Sequence, residues 1–480
     1  MHPEKNNDLN YARSVPPIDH DTIYPSNDCP DNERVSIDID PEQAQQGART
    51  EIEPPPDGGY GWIYVLCVFL INAHTSGINS SYGIFLAHYL ETNTSPGASD
   101  LDFAFVRGLS LSIAQFIAPV ATITTREWGT RTTLTTAALL GASWSTEIWQ
   151  LFLSQGLCFG FGMGMQFSTT VGIIPQWFDR RSSLANGIGT AGSGIGGLIY
   201  SLASSALIQR WGTGWAFRIL AIASATACGF SAIIIKDRNK TIGAVQMAFH
   251  TSLLKRPEFL LTLAWGSLSV LVGLTVSQGS ILGAMFNLGG GLGRPVIGYV
   301  SDDFGRINTA LVCKFLDGLF SLVVWIFAKS FGVLIFYALI GGAVSATFTT
   351  TVAPVGAEVV GLQLLPSALS ICWVSVVIPS TFAEPIALWL RTNNGTNFLH
   401  TQVFTGFMYM GATASLWLVR AWKISELHKL GTDDAINYEA KVRGKNAVPR
   451  DPMVVQKVSR VPSVTSKAKS AKNLFKMVKV

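Results

Sequence analysis

The chain has 480 residues, 48% of them hydrophobic and only 14% charged, with a formal net charge of +4. That charged share is far below the quarter or so of a soluble domain, and the apolar residues fall in long blocks, not in amphipathic stripes. An ordinary soluble protein is excluded, because blocks near the roughly 20 residues a helix needs to cross a bilayer recur from Ile63 to Trp422. The expected fold class is therefore an all-α polytopic membrane protein.

Residues 1–56 are polar, Pro-rich and acidic, with Asp19, Asp21, Asp28, Asp31, Glu33, Asp38, Asp40, Glu42, Glu51 and Glu53, and too few large apolar residues to build a core. This segment reads as a disordered tail. The first apolar block follows this long polar segment, not a short basic start, so the first span is expected to be an uncleaved helix. Between the two stands Asp57-Gly58-Gly59-Tyr60-Gly61-Trp62. The glycines allow a tight turn and close approach, Trp62 suits the headgroup level, and Asp57 is expected in water just outside.

Spans are expected near 63–90, 103–124, 131–146, 148–174, 183–208, 215–235, 257–277, 279–300, 308–328, 332–356, 366–390 and 399–422. Arg126 and Arg131, Arg180 and Arg181, the run Lys236 to Arg256, and Arg306 fall in alternate loops. The other loops carry Glu91, Asp100, Asp102 and Glu147, with Arg210, Lys329 and Arg391. The positive-inside rule then puts both termini in the cytoplasm, as an even number of spans also requires. The polar stretch 236–256 divides the spans into a bundle at 57–235 and a second at 257–422, six helices each. Residues 423–480 form a basic tail that either lies on anionic lipid or is simply solvated.

Two stretches are tight. One crossing must fit between Arg131 and Ile148, and two between Pro257 and Val300, with Val276-Ser277-Gln278-Gly279-Ser280 as the candidate turn. Either residues are missing there, through exon loss or a wrong gene model, or these helices are short and the bilayer or a tilted neighbour adapts. Cys29, Cys67, Cys158, Cys228, Cys313 and Cys372 are scattered without a Cys-x-x-Cys pair, so neither a metal site nor a disulfide framework is suggested.

The sharpest internal motif is Gly298-Tyr299-Val300-Ser301-Asp302-Asp303-Phe304-Gly305-Arg306, which ends span eight. Asp302 can sit near the N-terminus of the next helix and pair with a cation, locking the cytoplasmic side in one state, Gly305 permits the turn, and the plain alternative is an exposed charge pair in a loop. The pattern Gly-x-x-x-Asp-x-x-Gly-Arg resembles the signature loop of the major facilitator superfamily. The matching first-half loop, Thr125 to Arg131, keeps Gly129 and Arg131 but has no Asp in the equivalent place.

Asp57 to Trp62 resembles the hallmark before span one of that superfamily's monocarboxylate-porter branch, its fungal members in particular. Trp177-Phe178-Asp179-Arg180-Arg181-Ser182-Ser183-Leu184-Ala185-Asn186-Gly187-Ile188-Gly189-Thr190-Ala191-Gly192 is similar to its second hallmark, entering span five. The resemblance covers roughly residues 54–430 and implies twelve helices in two pseudo-symmetric bundles, a central cavity and alternating access. It implies a gating role for Asp302, Gly305, Arg306, Arg131, Arg180 and Arg181. It also places Arg294 where lactate carriers hold the cation that engages the substrate carboxylate. Two positions depart from that pattern: Ser80 stands near the place of a lysine, and Gly290 stands where an aspartate precedes the arginine by four. A standard proton–lactate cycle is therefore not expected, and a bulkier acid, a vitamin or a secondary metabolite is the better expectation.

Charged groups inside spans are functional candidates by default. Arg294 is either a substrate-binding group in the cavity or a structural partner of a helix carbonyl or carboxylate. His74, Asn79 and Gln115 are polar groups that could face a cavity, with an interhelical hydrogen bond the structural reading of His74. Glu384, Glu358 and the Lys314/Asp317 pair are weaker candidates. The glycines of spans four and five suit close helix packing. Asn93 and Asn394 carry glycosylation sequons in outside loops, and Asn79 heads a third.

The function expected is secondary active transport of a small organic, carboxylate-like solute, by import or by efflux of a metabolite. The rival of another class is a non-transporting sensor or defective pseudo-transporter. An enzyme is not expected, since no nucleotide-binding loop, metal cluster or nucleophile elbow is present. No cofactor or nucleic acid is expected. Proton coupling stays open, and the partners are the solute and the lipid bilayer around a monomer. The cell membrane is the expected location, with the vacuolar membrane as rival.

Overall fold

The computed structural model describes residues 55–92, 100–128, 130, 152–236, 238–242, 244, 247–271, 280–328, 330–390 and 398–445. Every regular element among them is helical. Seven described segments are long and apolar enough to cross a membrane. Span three, with Arg131, lies outside the described residues, as do residues 276–279 of the candidate turn, Asn93 and Asn394.

Span one is Gly61–His74, Ser76–Ser80 and Tyr82–Thr92, and span two is Asp100–Phe116 and Ala118–Trp128. Span four opens as a π-helix, Phe152–Cys158, and continues as Phe159–Val171. Spans five and six run together as Ser182–Ile234, parted at Gly212, whose φ of 78° only glycine adopts readily. Span seven is Pro257–Val270, and span eight is Ser280–Phe304. Span nine is Arg306–Phe320 with a π segment Ser321–Trp325. Span ten is Phe331–Ser345 and Thr347–Val360, and span eleven is Leu365–Ser375 and Val377–Trp389.

The breaks have a local cause. Hydroxyls beside them turn back on their own helix, Thr75 Oγ1 to Ile71 O at 2.6 Å, Ser81 Oγ to Ile78 O at 2.7 Å and Ser375 Oγ to Cys372 O at 2.7 Å. Such back-bonding competes with the backbone ladder and bends helices.

The last helix, Leu399–Lys445, passes well beyond the expected span end at Trp422, so the start of the basic tail is helical. Lys423 anchors that extension by donating to the Glu358 carbonyl at 3.1 Å and to Glu426 at 2.8 Å. The linker after span six is also docked. Leu253 is fully buried, Arg238 stacks over Trp177 at 5.6 Å, and Ser367 of span eleven donates to the Met247 carbonyl at 2.7 Å.

One apolar cluster gathers Trp265, Phe348, Val352, Trp373 and Leu416; another gathers Phe85, Phe159, Met163, Phe217 and Leu220. Lys314 and Asp317 lie in the interior and pair at 2.9 Å, the ammonium also donating to the Ser345 carbonyl at 3.0 Å. Large apolar side chains such as Leu202, Ile233, Phe327 and Trp389 face outward, as a lipid-facing surface requires.

Candidate functional site

The helices of the first half meet those of the second along two seams. In the seam of spans five and eight, Gly187 lies against the backbone of Arg294 and Pro295, Gly194 against Gly291 and Asn287, and Gly298 against Ser183. A Cβ on Gly194 would stand 2.6 Å from the Asn287 carbonyl oxygen, so only glycine permits this approach. Arg294 crosses the same seam and donates from Nη1 to the Thr190 carbonyl and the Ser193 hydroxyl.

The seam ends in a lock. Span five begins at Ser182 without a side-chain cap of its own. Asp302, expected at the start of the next helix, instead supplies one from the end of span eight: its two carboxylate oxygens accept the Ser183 N–H at 3.0 Å and the Leu184 N–H at 2.8 Å. A carboxylate here satisfies orphan donors and meets the positive end of the helix dipole. Gly305, at φ 100°, lets the chain turn into span nine. Arg306 then donates to the Asp179 carbonyl at 2.5 Å and pairs with Glu358 at 3.2 Å. Asn186 donates to the Thr350 carbonyl at 2.5 Å in the same region. Arg180 and Arg181 are exposed.

Asp57 holds the other side of this segment. It is not left in water: its Oδ1 accepts the N–H groups of Asp179 at 2.7 Å and Arg180 at 2.9 Å, and its own N–H donates to the Trp177 carbonyl. Trp62 meets Phe178 edge-on at 5.0 Å, and Gly61 faces the Phe178 ring too closely for a Cβ. The positive φ of Asp57, 51°, and of Gly59, 58°, aims the carboxylate back at residues 179–180. Asp57 and Asp302, from different halves, thus clamp successive stretches of residues 179–184.

In the seam of spans two and eleven the contacts are hydroxyls. Ser112 Oγ meets Thr381 Oγ1 at 2.5 Å, Ser380 donates to Gln115 at 2.7 Å, and Thr122 Oγ1 meets Ser370 Oγ at 2.9 Å. Arg107 faces Glu384 at 3.5 Å at the end away from the lock.

The four expected substrate groups do not meet at one point. Arg294 sits in the five–eight seam and Gln115 in the two–eleven seam. His74 bonds Tyr200 of span five through Nδ1, and its carbonyl accepts from Ser224 of span six at 3.2 Å. Asn79 accepts from Ser110 at 3.0 Å and lines a cleft with Tyr82, Phe85, Arg107, Gln155 and Phe217. Ser80 adjoins Gly197, on which a Cβ would also meet Asn287 of span eight, and Gly290 faces the Gly342 carbonyl of span ten. Sequence reasoning passed over Arg107, although it lies inside expected span two and the rule that singled out Arg294 covers it. A second cleft near the lock is lined by Thr122, Thr125, Ser168, Gln176, Ser370 and Trp373. Among the described residues no cluster could hold a metal, and the described cysteines are free.

The major facilitator superfamily model matches residues 64–274. The probable transporter MCH2 of Saccharomyces cerevisiae is 33% identical over 398 residues, covering 77% of this chain and 84% of that protein. The chain belongs to the major facilitator superfamily. It is a multi-pass membrane transporter with monocarboxylate-transporter-like relatives, not an enzyme. Monocarboxylate transporter 10 of Danio rerio is 26% identical, over 74% of this chain and 76% of that protein. The fold is also that of the human organic anion transporter MFSD10, at 12% identity and a TM-score of 0.55, over 76% of this chain and all of that one.

Proposed function

We propose that the chain is a secondary active transporter that moves a small organic solute bearing a carboxylate by alternating access. The observation that carries this reading is the Asp302 cap on span five. It is a charge-assisted contact between helices of the two halves, made of a few exchangeable hydrogen bonds that can open without unfolding either helix. Breaking the bonds to Ser183 and Leu184, with those of Arg306, would free the lock end, and unlatching Arg107 from Glu384 would free the other end. The positive loops support a cytoplasmic lock, and we take the chain to act as a monomer in the cell membrane. No bound cofactor is needed, and a proton gradient is the natural drive for an anionic solute. Ser80 and Gly290 stand against a standard lactate cycle and favour a bulkier acid.

The test is untargeted mass spectrometry of medium and cell extract from a knockout and from a strain overexpressing the full chain. A compound left in the knockout's medium supports import; one retained in knockout cells and enriched in the overexpressor's medium supports efflux. No difference, with the protein shown at the membrane, overturns transport in favour of a sensor.

A further inference from the structure

Span nine grips span ten at two points. Arg306 takes its inner end at Glu358, as part of the lock. The second point is the break in span ten, where the outer half ends at Ser345 and the inner half starts at Thr347. A helix end leaves carbonyls without ladder partners, and here side chains take them. Ser345 Oγ donates to Gly342 O at 3.4 Å, and Thr347 Oγ1 to Val344 O at 2.5 Å. The carbonyl of Ser345 itself accepts from the Lys314 ammonium of span nine at 3.0 Å. A cation suits the negative end of a helix dipole. Lys314 is fully buried, which is costly for a charge unless it is paired. Asp317, one turn on, pairs with it at 2.9 Å, and the Tyr409 ring of the last helix lies 4.6 Å from the ammonium.

The two halves of span ten have different neighbours. The outer half, Phe331–Ser345, lies backbone to backbone on span eight: Gly289 meets Leu339 and Gly342 meets Phe286 with no room for a Cβ on either. The inner half, Thr347–Val360, reaches across to the other bundle. Pro354 has no N–H for the carbonyl four residues back, so Thr350 O is left out of the helix ladder. Asn186 of span five takes that carbonyl at 2.5 Å. The angle at the break therefore decides where Thr350 and Glu358 stand. At about 1.5 Å per residue Glu358 lies roughly 20 Å from Ser345, so a tilt of about 10° would displace it by about 3 Å, enough to lose Arg306.

We propose that Lys314 is a positioning residue of the lock. Acting through the break in span ten, its bond to the Ser345 carbonyl holds the inner half at the angle that brings Thr350 O to Asn186 and Glu358 to Arg306. Asp317 keeps the ammonium charged and aimed. The inference rests on the transporter reading, because the lock is what alternating access must open. It assigns the buried pair a task beyond mutual neutralisation: span nine sets both ends of the segment that closes against span five.

The test is hydrogen–deuterium exchange of the purified full chain in detergent. Lys314→Met with Asp317→Leu removes both charges at similar volume, an exchange that buried pairs often tolerate. Uptake in 347–360 is expected to rise at least threefold while 331–345 and 215–234 keep the parent rate. Asn186→Ala is expected to raise uptake in 347–360 as well, and adding it to the neutral pair to bring little further rise, since both act through one contact. Lys314→Asp with Asp317→Lys keeps an ion pair but takes the ammonium off the Ser345 carbonyl, and is expected to behave as the neutral pair does. Parent-like uptake in 347–360, an equal rise in 331–345, an additive rise with Asn186→Ala, or parent-like uptake in the charge swap overturns the proposal. The neutral pair decides it even where the swap fails to fold. Exchange does not depend on flux: the expected pattern in a chain that moves no solute would fault the transport reading alone, and a parent-like pattern in a chain that does would fault this inference alone.

Discussion

The two seams between the halves are built from different chemistry. Spans five and eight touch backbone to backbone through Gly187, Gly194, Gly291 and Gly298, with Arg294 crossing and Asp302 closing one end. Spans two and eleven touch through Ser112, Gln115, Thr122, Ser370, Ser380 and Thr381. A glycine seam gains its energy from shape, and a shift of one residue would drive a neighbouring side chain into the groove. A hydroxyl seam is forgiving, because each Ser or Thr can fall back on a carbonyl of its own helix. Ser112 and Thr381 already share their hydroxyls with Gly108 and Val377 carbonyls, at 2.7 and 2.8 Å. The first seam is suited to act as a pivot, and the second to part.

The contrast can be broken first at Gly194. Gly194→Leu is expected to cost more than about 3 kcal/mol, because backbone confronts the new side chain on the facing helix; fluorescence-detected size exclusion should show loss of the monodisperse species. Asp302→Asn comes next. An amide has one acceptor oxygen where the carboxylate has two and carries no charge to meet the helix end, so about 1–3 kcal/mol is lost, and a cysteine placed at Ser183 should label faster from the lock side. A labelling rate equal to that of the parent would show that Asp302 does not hold the halves together. Arg294→Met removes one donor and two contacts and is expected to cost about 1.5 kcal/mol, read as a fall in Tm with solute selectivity retained. A change in selectivity would instead return Arg294 to the substrate path. Ser112→Ala is the mildest, at about 0.5 kcal/mol. If it matched Gly194→Leu, the second seam would be as rigid as the first and the contrast would fail.

Much of the fold was legible. Apolar blocks of bilayer length gave the spans, and the gap between residues 208 and 215, with Arg210, marked the break between five and six, where the positive φ of Gly212 falls. The signature loop located Asp302, Gly305 and Arg306 because glycine and charge leave a local mark. Their partners left none. Asp302 reaches Ser183, 119 residues away, and Asp57 reaches Asp179, 122 residues away. Backbone N–H groups have no side-chain signature, so nothing in the sequence could name them as acceptor targets. Arg107 was legible as a charge inside a span; its meaning was not, because Glu384 lies far along the chain and only packing brings the two together.

By itself the sequence determined that this is a helical membrane protein, where its helices lie and which loops carry charge, since bilayer thickness and the cost of buried charge act on each segment alone. The tertiary structure decided how charge is used. It turned two separate hallmarks into one docked unit at residues 57–62 and 177–184, placed an aspartate of one half on the helix end of the other, and set Arg107 beside an aromatic cleft. Those are properties of distance between helices, and distance between helices is fixed by side-chain shape across the seams, which no single segment contains.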